Sequence, residues 1–189
     1  MIQTTLATPA DFAAILALQE RNHLSNLAEN ARGDGFLTTY LEAYDLQTLC
    51  AQGTLFVAKS DGELAGFAGA KDWDLSGEHA WYRAVLALFP LPFEGFQITA
   101  QNSFQYGPAC VAAPFRGQNV LGSLIEAVKA AFRPRCECGV TFIDARNARS
   151  LAAHGRKLGF ATLAELPFGE LRFGRTIYHV LGFSTRSSL

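Results

Sequence analysis

Apolar residues recur along this chain at two periods, every second position in some stretches and every third or fourth in others, which predicts strands alternating with helices. The pattern is clearest from Tyr106 to Phe132. Cys110, Val111, Ala112 and Ala113 form a short apolar run closed by Pro114, as in a strand buried on both faces. After the turn residues Arg116 to Asn119, apolar side chains return at Val120, Leu121, Leu124, Ile125, Val128 and Phe132, the spacing of a helix that covers a sheet. Gly117, Gln118 and Asn119 therefore stand at a helix N-terminus, where unpaired backbone N–H groups and the helix dipole favour an anion.

The remaining pattern extends the alternation in both directions. Met1 to Ala7 reads as a first strand. Thr8-Pro9-Ala10-Asp11 reads as a helix start, with Thr8 as N-cap, Pro9 at the first helical position and Asp11 reaching back. The helix runs from Pro9 to about Asn22 with Phe12, Ile15, Leu16 and Gln19 inward. Residues 23–36 lose periodicity, and Leu37 to Ala51 regains a helical spacing through Leu37, Leu41, Tyr44 and Leu49. Thr54 to Ala58 and Glu63 to Ala70 are strand-like runs, and Asp61-Gly62 between them signals a hairpin. Gly66 and Gly69 in the second run imply close packing or the approach of a ligand, close packing being the simpler reading. Within 72–106, Glu78 to Phe89 has helical spacing stopped by Pro90 and Pro92, and Phe93 to Ala100 suits an extra strand. Gly139 to Ala145 is a strand that a right-handed crossover lays parallel to the one before Pro114. A helix capped by Asn147 and stopped by Gly159 follows, and then closing strands at Ala161 to Glu165, Gly169 to Phe173 and Arg175 to Leu181. The expected fold is α/β, a mixed sheet of six or seven strands with helices on both faces. It forms a single domain over 1–189 with an aromatic-rich insertion at about 72–106.

Composition narrows the function classes. About half of the 189 residues are apolar and 17% are charged, a globular balance, and the formal charge of −1 argues against a general nucleic-acid or anionic-membrane surface. No apolar run is long enough to cross a bilayer and no basic-then-apolar leader is visible, so a cytoplasmic protein is expected. Of the four cysteines, Cys50 and Cys110 lie in apolar surroundings. Cys136 and Cys138 lack the partner ligands of a zinc site, so no metal is expected and all four read as reduced thiols.

The Pro-Phe-Arg-Gly run at Pro114 to Gly117, followed by an apolar helix, resembles the pyrophosphate loop of the GNAT superfamily of acyl-CoA-dependent N-acetyltransferases, [Arg/Gln]-x-x-Gly-x-[Gly/Ala]. Arg116 fits the first position, Asn119 and Leu121 stand where the glycines belong, and Gly122 comes one residue late. The helix from Asn147 to Phe160 is similar to the second signature of that family, Asn-x-x-Ser, then Tyr or His, then Leu-Gly-Phe. Here too one residue is extra, since His154 lies five rather than four before Gly159. The two motifs and the order of elements cover nearly the whole chain.

The resemblance implies acetyl transfer from acetyl-CoA to a primary amine by direct attack, in a monomer or homodimer. Pantetheine is then expected between the two splayed strands, bonded to the backbone of Cys110, Val111 and Ala112. The pyrophosphate is expected on the loop and helix start formed by Arg116, Gly117, Gln118, Asn119, Val120, Leu121, Gly122 and Ser123, with Asn147 and Ser150 nearby. His154 is the candidate acid for the leaving thiolate; a solvent-facing histidine without a catalytic task is the competing reading. Asp72 and Glu94 are candidate bases, with a backbone-held water as the alternative. Trp73, Trp81, Tyr82 and Phe93 are expected to wall an apolar acceptor pocket, with Asp72, Asp74, Glu78 and Glu94 as its carboxylates. The missing loop glycines also leave open a non-catalytic acyl-CoA sensor or interaction module.

Overall fold

A computed structural model describes residues 1–73, 80–168 and 176–186, with the side chains of Trp81 and Phe168 left aside. Its strands are β1 (Ile2–Leu6), β2 (Leu55–Ser60), β3 (Glu63–Lys71), β4 (Leu91–Phe93), β5 (Phe96–Ile98), β6 (Ser103–Val111), β7 (Cys138–Asp144), β8 (Ala161–Phe168) and β9 (Thr176–Ser184). Its helices are α1 (Phe12–Asn22), α2 (Ala43–Ala51), α3 (Ala80–Leu86), α4 (Val120–Phe132) and α5 (Ala148–Leu151). Seven strands join in the order β1-β2-β3-β6-β7-β9-β8, and β4 and β5 form a separate hairpin. All neighbours in the large sheet are antiparallel except β6 and β7. This is the mixed α/β sheet expected from the sequence.

Local chemistry accounts for the joints. The Thr8 N–H bonds Asp11 Oδ2 at 2.8 Å, completing the capping box ahead of α1. Asp61 and Gly62, at φ of 49° and 85°, make the two-residue turn between β2 and β3. Gly66 is glycine because an added Cβ would lie 2.7 Å from the Cys110 carbonyl oxygen, so close strand packing explains it.

Both faces of the sheet are covered. Val120, Leu124, Ile125, Val128 and Phe132 of α4 pack with Phe104, Tyr106 and Phe183 on one face. Ile15 and Leu18 of α1 and Leu46 and Leu49 of α2 pack with Val57, Phe67 and Cys110 on the other. Several expectations shift here. Leu18, not Leu16, completes the buried stripe of α1 beside Ile15 and Gln19, while Tyr44 is 76% exposed and does not belong to a buried stripe. α2 starts at Ala43 rather than Leu37, because Leu37 pairs with the end of α1: its N–H donates to Asn22 O at 2.8 Å, and its carbonyl accepts from Leu24 N at 2.8 Å. Phe93 to Ala100 is not one strand, since Glu94 and Gly95, at φ of 44° and 86°, turn the chain between β4 and β5. The expected strand at 169–173, the carboxylates Asp74 and Glu78, and the side chain of Trp81 lie outside the described residues.

The aromatic insertion forms a third core. Trp73, Val85, Phe93 and Ile98 pack with Cys138, Val140 and Val180, closing the sheet face over β7 and β9. Trp73 Nε1 donates to Ser103 Oγ at 2.9 Å, and its ring meets Phe89 edge-on at 5.4 Å.

Candidate active site

The parallel pair at the centre of the sheet does not hold together along its length. β6 and β7 pair only at Ser103–Cys138, Phe104–Gly139 and Gln105–Val140. Beyond these, β6 stays bonded to β3 through Val111, and β7 stays bonded to β9 through Asp144. The two strands therefore diverge, leaving one backbone edge of β6 from Tyr106 onward without a strand partner among the described residues. A cavity of about 450 Å3 runs along that edge to the start of α4, lined among others by Cys110, Val111, Arg116, Val120 and Gly122.

The start of α4 is open to ligand. The first helical bond is Ser123 N to Asn119 O at 3.1 Å, and the N–H groups of Val120, Leu121 and Gly122 make no hydrogen bond among the described residues. Asn119 sits at φ 59°, the left-handed conformation that a glycine would supply, and asparagine is among the few side-chain-bearing residues that tolerate it. Gly122 leaves room for the Asn119 side chain, since a Cβ there would lie 2.3 Å from Asn119 Oδ1. The displaced glycines thus preserve the loop's backbone, and the sensor reading loses the observation that motivated it.

Four of the expected binding residues turn the groups in question elsewhere. Gln118 spends its N–H on Phe115 O at 3.4 Å and its carboxamide on Pro114 O at 3.1 Å. Ser123 Oγ donates to Val120 O and accepts from Thr4 Oγ1, each at 2.9 Å. The Ala112 N–H turns away from the gap, to Ala65 O, and Cys110, two residues back, turns its backbone groups the same way, toward Phe67 of β3. Arg116 lines the cavity but is partly committed, its Nε reaching Val111 O at 3.4 Å and a terminal nitrogen reaching Asn22 Oδ1 at 3.3 Å.

Asn147, Ser150 and His154 line both this cavity and a second one of about 70 Å3, which lies where β6 and β7 part. Asn147 caps α5 by accepting from Ser150 N at 3.2 Å, and its Nδ2 donates to Phe36 O at 2.7 Å, pinning the loop that walls both cavities. α5 continues into a wide π-helical turn, Ala152–Lys157. That turn absorbs one extra residue and so accounts for the odd spacing between His154 and Gly159. His154 is buried, not solvent-facing, among Tyr106 and Phe160. Its Nδ1 lies 2.9 Å from the Ser150 carbonyl, which only accepts, so the proton sits on Nδ1 and Nε2 carries a lone pair. Burial holds the imidazole pKa below its ordinary value, outweighing the opposing effect of the Ser150 carbonyl. His154 at neutral pH therefore offers a lone pair rather than a proton, which corrects its expected role as a ready-made acid.

The pattern Acetyltransferase (GNAT) family matches residues 21–160, well over half of the chain. The chain belongs to the GNAT acetyltransferase family. Acetyl-CoA as co-substrate follows from that membership. No curated protein matches the sequence. Among solved structures, the fold is similar to a putative acetyltransferase from Salmonella typhimurium with its cofactor acetyl-CoA, at 17% identity, covering 99% of this chain and 95% of that one with a TM-score of 0.62. It is also similar to an N-acetyltransferase from Staphylococcus aureus Mu50, at 17% identity, 98% and 99% coverage and a TM-score of 0.65. A ribosomal-protein-alanine N-acetyltransferase from Brucella melitensis matches at 22% identity, 96% and 99% coverage and a TM-score of 0.63.

In this GNAT enzyme the described residues of the expected acceptor wall, and both expected bases, lie away from the two cavities. Trp73 and Phe93 are buried in the third core, Tyr82 packs against it, and none of the three lines either cavity. Asp72 is bound by Arg135 at the surface and Glu94 sits in the β4–β5 turn, and neither carboxylate lines either of these two cavities. Sequence reasoning missed Lys157 and Arg149, cations lining the large cavity, and Gln105 and Thr141 in the small one. Lys157 carries a sequence signal, because it is a cation within one turn of His154 in the same signature helix.

Proposed function

We propose that this GNAT domain is an N-acetyltransferase that moves acetyl from acetyl-CoA to a primary amine by direct attack, acting as one domain with 72–106 as an insertion. The observation that carries the reading is the unpaired edge of β6, which leads from the strand parting to the open N-terminus of α4. Pantetheine amides then bond the backbone of Val111 and Ala109, the residues on either side of Cys110 whose backbone groups face the open edge of β6. The pyrophosphate rests on the N–H groups of Val120, Leu121 and Gly122, with the cations of Arg116 and Lys157 beside it. Asn147 and Ser150 border the thioester end.

Direct attack, rather than an acetyl-cysteine intermediate, agrees with the state of the nearest thiol. Burial pushes the Cys110 pKa up to about 12, so almost no thiolate is present near neutrality. We place the protein in the cytoplasm as a monomer or homodimer; no helix among the described residues is long and apolar enough to cross a membrane. The test is release of CoA thiol from acetyl-CoA across a panel of primary amines, with the product weighed by mass spectrometry. Amine-dependent thiol release with a matching acetyl mass increase is expected. CoA binding without transfer to any amine would return the protein to the sensor reading.

A further inference from the structure

The parted strands leave one hydroxyl unused, that of Thr141. Thr141 follows Val140, the last residue of β7 paired with β6, and its backbone is held on the other side by Leu181 of β9. The residue is 7% exposed, and its hydroxyl makes no hydrogen bond among the described residues. Two other polar atoms near the parting are buried without a partner, Gln105 Oε1 and the Tyr106 hydroxyl, but both are sealed off, whereas the Thr141 hydroxyl is not. It points across the parting at Gly107, where an added Cβ would lie 3.7 Å from Thr141 Oγ1, and Thr141 lines the small cavity there. A hydroxyl so nearly buried has lost most of its water without gaining a bond, so the site calls for an occupant that bonds it.

The edge of β6 decides which occupant arrives. Ala109, Asn147 and His154 line both cavities, so the small one adjoins the large one. Pantetheine laid along Val111 and Ala109 has its pyrophosphate end at α4, so its thioester end points down β6 toward Gly107, two residues or about 7 Å beyond Ala109. An acyl carbonyl is therefore what reaches the Thr141 hydroxyl. No lysine or arginine lines the small cavity to meet negative charge on that carbonyl. The cavity's carboxylate, Asp144, is held by Arg146 and Thr176. Ser150 Oγ lies 3.3 Å from His154 Nδ1, and Thr38 and Thr39 belong to the covering loop. Thr141 remains as a neutral donor on a strand bonded along its length to β9, with a β-branched side chain that has few rotamers to choose from.

We propose that Thr141 is a catalytic residue of the transfer: its hydroxyl donates a hydrogen bond to the acyl carbonyl oxygen of acetyl-CoA and stabilises the charge that this oxygen gains in the transition state. This rests on the acetyl-transfer reading above. The amine lone pair forms the C–N bond as the carbonyl π pair moves onto oxygen, where the Thr141 O–H donates and keeps its proton. That pair returns to re-form C=O, the C–S bond breaks with its electrons on sulfur, and one proton passes from nitrogen to sulfur. Amine and acetyl-CoA thus become amide and CoA thiol, with Thr141 unchanged. A donor already aimed where charge develops needs no reorganisation at the moment of reaction, and in a site closed to water it counts for more than in solution.

The test binds acetyl-CoA, isotope-labelled at the acetyl carbonyl, to the full chain and reads the carbonyl stretch by difference infrared spectroscopy. The band should lie at lower frequency in wild type and in Thr141→Ser than in Thr141→Val, which keeps the shape of threonine without its hydroxyl. With n-butylamine as the probe amine, Thr141→Val should lower kcat about a hundredfold, the usual cost of one such donor, and Thr141→Ser should stay within about tenfold of wild type. The amine KM and the melting shift given by CoA should stay as in wild type in both variants. A band at the wild-type frequency in Thr141→Val, or a kcat within about threefold of wild type, overturns the proposal. A raised amine KM at unchanged kcat overturns it too and assigns the hydroxyl to the amine. Thr141→Ala decides in the same way if Thr141→Val fails to fold, and the infrared comparison decides alone if n-butylamine is not among the amines used. Transfer by wild type with an unmoved band in Thr141→Val rejects the proposal alone, whereas inertness of wild type toward every amine rejects the acetyl-transfer reading with it.

Discussion

Gly117→Pro is expected to reduce CoA affinity beyond detection in a protein that still folds. Gly117 sits at φ 84° in the loop before α4, and proline is locked near −65°, so the substitution swings the backbone by roughly 150°. Nothing lies within 4 Å of a Cβ at this position, so the damage is to loop direction rather than to packing, and α4 keeps its buried face. The N–H groups of Val120 to Gly122 then no longer share a focus with the edge of β6. Arg116→Ala should act more mildly. It removes one charge-assisted contact of roughly 1.5–3 kcal/mol, or about a ten- to hundredfold loss in affinity, from a side chain already shared with Val111 and Asn22. Titration calorimetry with CoA compares the two variants. A larger loss in Arg116→Ala would mean that side chains, not backbone, hold the phosphates.

Trp73→Ala is expected to unfold the protein more readily and to leave the site as it was. The ring is 7% exposed, meets Tyr82 and Phe89 edge-on at 6.3 and 5.4 Å, and anchors its indole N–H on Ser103. Removing it leaves a cavity over β7 and deprives the Ser103 hydroxyl of a buried donor. The cost should be about 3–5 kcal/mol, a fall in melting temperature of roughly 10 °C or more for a chain of this size. CoA affinity, measured where both proteins are folded, should agree within about threefold. A wild-type melting temperature combined with selective loss of acceptor turnover would restore this residue to the acceptor wall.

The contrast between these two variants follows what was legible in the sequence. The strand-turn-helix unit around Pro114 was readable because its apolar period changes across a turn, and a change of period is a local signal. The Asp61-Gly62 hairpin and the caps at Thr8 and Asn147 were readable for the same reason. The aromatic insertion was not. Trp73 and Phe93 are apolar whether they wall a pocket or fill a core, and only the tertiary contacts with Cys138, Val140 and Val180 decide between the two. Thr141 was missed because a lone threonine in a strand carries no pattern; its interest lies in a hydroxyl that the fold leaves without a partner among the described residues. The irregular spacings misled in a more useful way. Asn119 at φ 59° takes the place of a glycine, and the π turn at Ala152–Lys157 takes up the extra residue before Gly159. Both are backbone adjustments that a count of residues registers only as defects.

A melting scan with CoA tests most directly whether the parted strands and the open start of α4 form a nucleotide-thiol cleft. A ligand that binds only the folded protein stabilises it by RT ln(1 + [L]/Kd), about 2.7 kcal/mol at a hundredfold excess over Kd. For a chain of this length that is a rise of roughly 5–10 °C. The account predicts such a rise for wild type and none for Gly117→Pro. A folded wild-type protein whose melting temperature does not move in millimolar CoA would contradict it.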